Sequence, residues 1–261
     1  MEVGFIQFAP KFGNSEYNTQ KVLHLLGIDR ADIIVLPELF TTGYLFKDRK
    51  ELERLSENVN YSVTISKFKE LSKEKNAIFI GGFPEKSGDN IYNSQFLVDG
   101  DKIFIYRKNH LFYEEKKIFE KGNSNLPIYD NGIVKIGLMI CFDWIFPEMM
   151  RSLALAGADI ICHSANLVMP FCQDAMITRA IENRIYIITA NRTGKDERGG
   201  KSYLFTGRSQ IVAPGGDIIL STGKDNETFL KIDIDPKKSR DKNINNSNNL
   251  FEDRRTDRYK L

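Results

Sequence analysis

The sequence has few cysteines and histidines and no long apolar run, and each scarcity excludes a class of protein. It contains 3 cysteines and 3 histidines in 261 residues. An odd cysteine count argues against a disulfide framework and for a reducing compartment. No apolar run reaches the roughly 18 residues that a membrane span needs. The 37 basic residues nearly balance the 35 acidic ones, so neither nucleic acid nor a membrane surface is an expected partner. We expect a cytoplasmic protein.

The few possible metal ligands are poorly spaced for a metal. Cys162 and His163 are adjacent, and Cys172 lies a little further on. This arrangement lacks the spacing of zinc ligands, and no second cluster accompanies it. A phosphate-binding glycine loop is also missing. We therefore expect no metal and no cofactor, and we interpret Cys162 as a core residue.

Short runs rich in isoleucine, valine and phenylalanine alternate with polar amphipathic stretches. Most of these runs are apolar on both faces, which is typical of strands that are covered on both sides in an α/β protein. The first run also indicates that the N-terminus is a strand rather than a signal peptide. Strands are predicted at residues 4–8, 33–36, 77–81, 133–140, 159–162, 186–190 and 210–213.

Helical spacing and turn residues complete the pattern. A hairpin is predicted at residues 90–107, because Asp99 and Gly100 suit the turn between two strands. Helices are predicted at residues 14–26, 63–75, 147–156 and 173–184. No repeat or linker divides the chain. We expect one domain over residues 1–261, with residues 237–261 as a tail that docks through Leu250, Phe251 and Tyr259.

Polar residues of catalytic type follow the ends of several predicted strands. Ligands of α/β proteins bind at the carboxyl ends of the strands. These residues therefore line one cleft if their strands are neighbours. They are Glu38, Lys108, Cys141, His163 with Asn166, and Asn191 with Arg192.

Cys141 is the most informative of these residues. It ends a buried strand, and a helix signal follows at once, so its thiol is expected beside free backbone N–H groups that favour a thiolate. Glu38 is a candidate acceptor for the thiol proton, and Lys108 a candidate donor to an oxyanion. The N–H of Phe142 is a second donor. Taken singly, each residue has an ordinary structural interpretation, the cysteine as a small buried side chain.

The local contexts of these three residues resemble the three signatures of the carbon–nitrogen hydrolase (nitrilase) superfamily. They occur in the family's order and at similar separations, and the resemblance covers nearly the whole chain. The matching segments are 36–44 (LPELFTTGY), 106–112 (YRKNHLF) and 137–148 (GLMICFDWIFPE).

The resemblance implies a role for each residue. Glu38 would be the general base and acid, Lys108 the oxyanion stabiliser and Cys141 the nucleophile. The family has a second glutamate shortly after the lysine, and Glu115 matches it best, with Glu114 and Glu120 as alternatives.

The resemblance also implies a fold and an assembly. The family fold is an α-β-β-α four-layer sandwich. Two subunits usually pair through helices near the nucleophile, and the C-terminal tail often crosses to the partner, so a homodimer or higher homo-oligomer is expected. Tyr44, in the loop 41–46, and Asn166, in the segment 163–170, are expected in the pocket wall as substrate contacts.

The expected reaction is hydrolysis of a small linear amide to a carboxylic acid and ammonia through a cysteine thioester. A nitrilase acting on a small nitrile is the first alternative, because the catalytic residues would be shared. An N-carbamoyl amidohydrolase is the second, although the mostly apolar segment 165–171 lacks the arginines expected to hold a substrate carboxylate. A catalytically idle binding protein with the same fold is an alternative from another class.

Overall fold

The structure is a computed structural model that describes residues 1–259. Its helices begin and end with the signals that the sequence carries. Asn14 and Ser62 accept hydrogen bonds from backbone N–H groups in the first turns of the helices they precede, and Pro147 opens another helix. The helices are α1 Ser15–Leu26, α2 Arg49–Leu55, α3 Val63–Lys75, α4 Glu115–Ile118, α5 Pro147–Leu155 and α6 Cys172–Asn183, with 3₁₀ helices at Val59–Tyr61, Cys141–Ile145 and Pro236–Ser239.

The strands form two six-stranded sheets and two small hairpins. They are β1 Glu2–Gln7, β2 Ile33–Val35, β3 Ile78–Ser87, β4 Asn90–Asp99, β5 Lys102–Arg107, β6 Ile128–Asp130, β7 Lys135–Ile140, β8 Ile160–Ala165, β9 Tyr186–Asn191, β10 Lys195–Arg198, β11 Lys201–Leu204, β12 Gln210–Val212, β13 Ile218–Ser221, β14 Thr228–Asp233, β15 Asn243–Asn245 and β16 Asn248–Asn249.

The two large sheets have the same plan. The first has the order β14-β1-β2-β3-β4-β5 and the second the order β13-β12-β9-β8-β7-β6. In each, three neighbouring parallel strands, β1–β3 or β7–β9, are flanked by antiparallel ones. The carboxyl ends of the parallel strands therefore lie at one edge of each sheet.

Side chains alternate between the two faces of the first sheet, as a strand requires. Ile33 and Val35 pack in the core between the sheets with residues of the second sheet, such as Ile160. Ile34 lies in a second cluster, under α1 and α3, which contains Phe68 of α3. Helices α5 and α6 cover the outer face of the second sheet. The layers are therefore α-β-β-α, as expected.

A buried polar contact ties the two sheets together. The Gln95 amide on β4 donates to Ser164 Oγ on β8 at 2.8 Å and to the Cys162 carbonyl at 3.2 Å. Ser164 Oγ donates in turn to the Leu36 carbonyl at 2.6 Å. Buried polar atoms are costly unless they are paired, so this contact favours one register between the sheets. Leu36, whose carbonyl accepts the last of these bonds, lies two residues before Glu38 along the chain.

The predicted strands, helices and hairpin are all present, and most of their bounds agree within a few residues, whereas β3 extends six residues past its predicted end. The sequence did not predict α2, α4, the strands β6, β13 and β14, or the hairpins of β10 with β11 and β15 with β16. None of the helices within residues 1–259 is long and apolar enough to cross a membrane.

The tail begins with the 3₁₀ helix Pro236–Ser239 and continues into the hairpin of β15 and β16. Phe251 lies under the guanidinium of Arg151, with 5.2 Å between the guanidinium carbon and the ring centre. Leu250 is half-buried, whereas Tyr259 is exposed. The last two residues of the predicted tail, 260–261, lie outside the described residues.

Replacement of Ser164 with alanine should lower the free energy of unfolding by about 1–3 kcal/mol, because the Leu36 carbonyl and the Gln95 amide each lose a buried partner. Urea denaturation measures the change. Ser66, which is exposed on α3, supplies the matched control, since its replacement with alanine should change stability by less than about 0.5 kcal/mol. Equal effects at the two positions would contradict the role of Ser164 between the sheets.

Candidate active site

Glu38 lies in a tight turn after β2, and its whole side chain is buried. The turn packs directly against β3. A Cβ atom on Gly82 would lie 2.4 Å from the Leu39 nitrogen and 2.6 Å from the Glu38 Cα, so only glycine allows this approach. Leu39 adopts a left-handed conformation with φ of 46°. The carboxylate is thus held by close backbone packing.

Lys108 follows β5 directly and joins two carboxylates. Its backbone N–H donates to the Asn93 carbonyl at 2.8 Å, which extends the pairing of β4 and β5 by one step. The ammonium lies 2.6 Å from Glu38 Oε1 and 2.9 Å from Glu115 Oε1. All three side chains are buried. The ammonium also lies 2.9 Å from Glu115 Oε2, so it faces both oxygens of this carboxylate.

Of the three candidates for the second glutamate, the structure places Glu115 beside Lys108. Its other oxygen accepts from the Phe112 N–H at 3.1 Å. Glu114 pairs instead with Lys201 and Lys117, and Glu120 pairs with Arg49. The sequence could not separate these residues, because the turn that aims Glu115 inward includes Tyr113 at a positive φ.

Tyr44 contacts the same cluster. Its hydroxyl donates to Glu115 Oε1 at 2.7 Å, so it orients this carboxylate. Burial, Glu115 and Glu38 raise the pKa of Tyr44, which keeps the hydroxyl protonated as a donor. The substrate contact predicted for Tyr44 stays a prediction, with this hydroxyl already bonded to Glu115.

Asn93 is a site residue that the sequence analysis missed. It is fully buried on β4, and its amide donates to Glu38 Oε1 at 2.7 Å. Glu38 Oε1 therefore has two donors, whereas Oε2 has no hydrogen-bond partner within residues 1–259. The free oxygen is the one available to accept a proton. A single asparagine in the middle of a strand carries no signal of such a role.

Cys141 follows β7 without an intervening residue and opens the 3₁₀ helix Cys141–Ile145. Its φ of 41° lies in the left-handed region, which is strained for a side chain other than glycine. Asp143 stabilises this turn, since its carboxylate accepts from the Ile140 N–H at 2.9 Å and from the Tyr106 hydroxyl at 2.8 Å. His110 Nδ1 lies 2.7 Å from the same carboxylate.

The thiol of Cys141 lies within the field of the charged cluster. Burial and the Glu38 carboxylate raise the pKa of the thiol well above its ordinary value, and Lys108 opposes them. Cys141 therefore rests as a thiol that needs a proton acceptor, because burial, Glu38 and Glu115 disfavour the thiolate more than Lys108 favours it. Burial also raises the pKa of Glu38, which makes this carboxylate a better proton acceptor.

Lys108 keeps its charge. Burial alone would lower the pKa of the ammonium, but Glu115 and Glu38 outweigh burial and raise it. A permanent cation therefore lies beside the sulfur. It can stabilise negative charge that develops on a substrate atom.

Asn166 follows β8 directly, and its backbone partly offsets the rise in the pKa of the Cys141 thiol. Its side chain is buried, yet neither Oδ1 nor Nδ2 has a hydrogen-bond partner in the part of the chain that the structure describes. Buried polar atoms are nearly always paired, so these two suit a bound molecule. They border a narrow cleft of about 20 Å³ that is otherwise lined by Phe112, Cys141, Phe142, Trp144, Leu167, Val168 and Met169.

Of three other polar residues predicted to follow strands, only Arg192 does so, directly after β9. His163 lies inside β8, paired with Met139 and Thr189 on its neighbours, so its predicted place past the strand is wrong. Asn191 accepts from the Leu167 N–H at 2.9 Å and so shapes the loop beside the cleft. Arg192 is buried against Asp196, and its charge is neutralised there.

A larger groove lies elsewhere on the molecule. It has a volume of about 630 Å³ and is lined by residues between Arg184 and Asp241, Lys237 and Lys238 among them. Neither Cys141 nor any member of its carboxylate and ammonium cluster borders this groove. Chemistry therefore favours the small cleft as the reaction site over the larger groove.

Several known proteins are similar to this chain. The family model for carbon–nitrogen hydrolases matches residues 2–242. A protein named nitrilase from Pyrococcus abyssi is 40% identical over 264 residues, which cover 99% of each chain. An (R)-stereoselective amidase from Pseudomonas sp is 27% identical over 92% of this chain and 87% of that protein. The carbon–nitrogen hydrolase from Helicobacter pylori G27, 22% identical, has the same fold, with a TM-score of 0.87 over 99% of this chain and 96% of that one.

Activity should fall on the acid side of a pH–activity profile at a pH above the ordinary pKa of a glutamate. The reason is that activity needs the Glu38 carboxylate, and burial raises the pKa of this group. Replacement of Asn93 with leucine removes a bond that lowers this pKa. This acid limb of the profile should then move to higher pH, and kcat/KM at pH 6 should fall roughly ten-fold.

The control for this change lies on the same strand. Asn90 is exposed at the start of β4, and its replacement with leucine should leave the profile in place. A limb that moves to lower pH in the Asn93 variant, or one that moves equally in both, would contradict the assignment.

Proposed function

The chain belongs to the carbon–nitrogen hydrolase family, and from this premise we propose that it hydrolyses a small neutral amide to a carboxylic acid and ammonia. The observation that carries the proposal is the buried cluster of Glu38, Lys108 and Glu115 around the thiol of Cys141. Such a cluster is costly to bury, and its members match the roles of base, cation and nucleophile.

The first half of the proposed reaction forms a thioester. Glu38 Oε2 accepts the thiol proton as Cys141 Sγ attacks the amide carbon, and the oxygen becomes an oxyanion held by Lys108 and the Phe142 N–H. The carbon–nitrogen bond then breaks. The leaving nitrogen takes the proton from Glu38 and departs as ammonia.

The second half returns the enzyme to its first state. A water molecule gives a proton to Glu38 and attacks the thioester carbon. The carbon–sulfur bond breaks, the acid is released and the sulfur regains the proton. One water is consumed for each amide. Glu115 and Tyr44 take no proton in this scheme, since they hold Lys108 in place.

The amide is favoured by the side chain of Asn166. A primary amide has both N–H donors and a carbonyl acceptor, and so it complements both unpaired atoms of Asn166. A nitrile has only an acceptor. The aromatic and aliphatic lining of the cleft, with no charged side chain among the residues that line it, favours a short uncharged substrate over a carbamoyl amino acid.

Nitrile hydrolysis is the second candidate, because the Pyrococcus abyssi relative is named a nitrilase. The same cysteine would attack the nitrile carbon to give a thioimidate. Water would convert it to the thioester with loss of ammonia, and a second water would release the acid.

We also propose a homodimer that forms through α5 and α6. Leu155 and Ile181 on these helices are exposed, as is Phe171 just before α6. The tail would pack on the partner from its position beside Arg151. The cytoplasmic location stays a prediction that rests on the sequence.

The proposed mechanism predicts that replacement of Cys141 with alanine abolishes ammonia release from short aliphatic amides and nitriles. Serine at this position should leave less than about one thousandth of the activity, since its hydroxyl is far harder to ionise. The same alanine substitution at the buried Cys172 should keep activity. A mass spectrum of the working enzyme should show the acyl group on residue 141. Full turnover by the Cys141→Ala variant would refute the mechanism.

Replacement of Asn166 with leucine should separate the two substrate classes. It removes the hydrogen bonds to both the N–H and the carbonyl of an amide. The fall in kcat/KM should therefore be about 10-fold to 100-fold larger for an amide than for the nitrile of the same chain length. Ammonia release from both members of such a pair measures the ratio. An unchanged ratio would argue against amide recognition by Asn166.

A further inference from the structure

His163 is a buried ionisable residue that the proposed mechanism does not use. It is fully buried within β8, and its Nε2 lies 2.9 Å from the carbonyl oxygen of Cys141. Its Nδ1 lies 3.3 Å from Thr189 Oγ1 on β9. Burial lowers the pKa of His163 to about 4, so the ring is neutral at pH 7 and has one N–H.

The partners of the ring identify the nitrogen that bears this hydrogen. A carbonyl oxygen can only accept, so Nε2 must donate to Cys141. Nδ1 is then the acceptor, and the Thr189 hydroxyl donates to it. The imidazole is therefore held in one tautomer by contacts on both sides, from β9 and from the nucleophile turn.

The bond to Cys141 also sets the direction of the next N–H group. The peptide between Cys141 and Phe142 is planar, and no described peptide is cis, so its carbonyl and its N–H point in opposite directions. His163 holds the carbonyl toward the sheet. The Phe142 N–H is thereby turned away from His163, and Cys141 and Phe142 both line the cleft.

The turn needs such a restraint. Cys141 has a φ of 41°, and strained conformations of this kind persist only where the surroundings hold them. A hydrogen bond to the carbonyl also polarises the peptide and strengthens its N–H as a donor.

We propose that His163 is a positioning residue that orients the Cys141–Phe142 peptide so that the Phe142 N–H receives the oxyanion. This inference rests on the proposed function, since it assigns a role in the same reaction. His163 touches neither the substrate nor the sulfur in this role, and it acts only through the peptide.

Replacement of His163 with leucine removes the donor, whereas glutamine places an amide near the position of Nε2. The leucine variant should lose roughly 100-fold in kcat/KM for the amide, as for loss of one oxyanion donor. The glutamine variant should recover most of this loss. Replacement of Thr189 with valine removes the hydroxyl that fixes the tautomer of His163, and kcat/KM should fall about ten-fold. His24→Leu, at an exposed position of α1, is the matched control.

Two further measurements separate orientation from damage to the fold. A short aliphatic aldehyde adds to the thiol and places an oxygen where the oxyanion forms, so its inhibition constant should rise in the His163→Leu variant in parallel with the loss of turnover. Iodoacetamide alkylates the sulfur with loss of iodide and builds no oxyanion. Its rate of reaction at Cys141 should stay within about two-fold of the wild type.

The outcomes are distinct. Wild-type turnover or unchanged aldehyde inhibition in the leucine variant would overturn the proposal. An equal loss of alkylation and turnover would also overturn it, because His163 would then hold the whole turn. Wild-type protein that releases no ammonia would refute the proposed function instead, and the aldehyde measurement alone would then judge His163.

Discussion

The contact on which the site depends is the bridge that the Lys108 ammonium makes between Glu38 and Glu115. The three charged groups are buried, and burial of ions costs free energy that their mutual attraction seldom exceeds. Replacement of buried ions by apolar groups of similar size is often neutral or stabilising. Such an arrangement is easier to explain by its chemistry than by stability, because it keeps a fixed cation and a proton acceptor beside one sulfur.

The site as a whole is built from both sheets, and so the sheets must keep one relative position. Glu38 and Lys108 follow strands of the first sheet, whereas Cys141 follows a strand of the second. The contact between Gln95 and Ser164 lies between these sheets, and Ser164 also bonds the backbone just before the Glu38 turn. A shift of one sheet against the other would therefore break buried hydrogen bonds as well as apolar packing.

The sequence predicted the parts of the site that come directly after strands. Cys141 and Lys108 could be found because an apolar run ends at a polar residue, a pattern with a physical meaning. Asn93 and Gly82 could not be found in this way. The role of Asn93 depends on contact with a residue 55 positions away along the chain, and Gly82 matters only because the Glu38 turn approaches it. The helical start after Cys141 was predicted, whereas the strained φ of Cys141, and hence the contact with His163, depends on tertiary packing.

The charges of the cluster also explain why the thiol rests in its protonated form. Burial and the Glu38 carboxylate raise the pKa of the thiol, because a thiolate would add a second negative charge beside this carboxylate in a buried place. Transfer of the thiol proton to Glu38 during attack moves the negative charge to the substrate oxygen, next to Lys108, and leaves the total unchanged. Release of ammonia takes the same proton back from Glu38. No step of this cycle therefore adds charge to the buried site, which is the condition that a low dielectric imposes on catalysis.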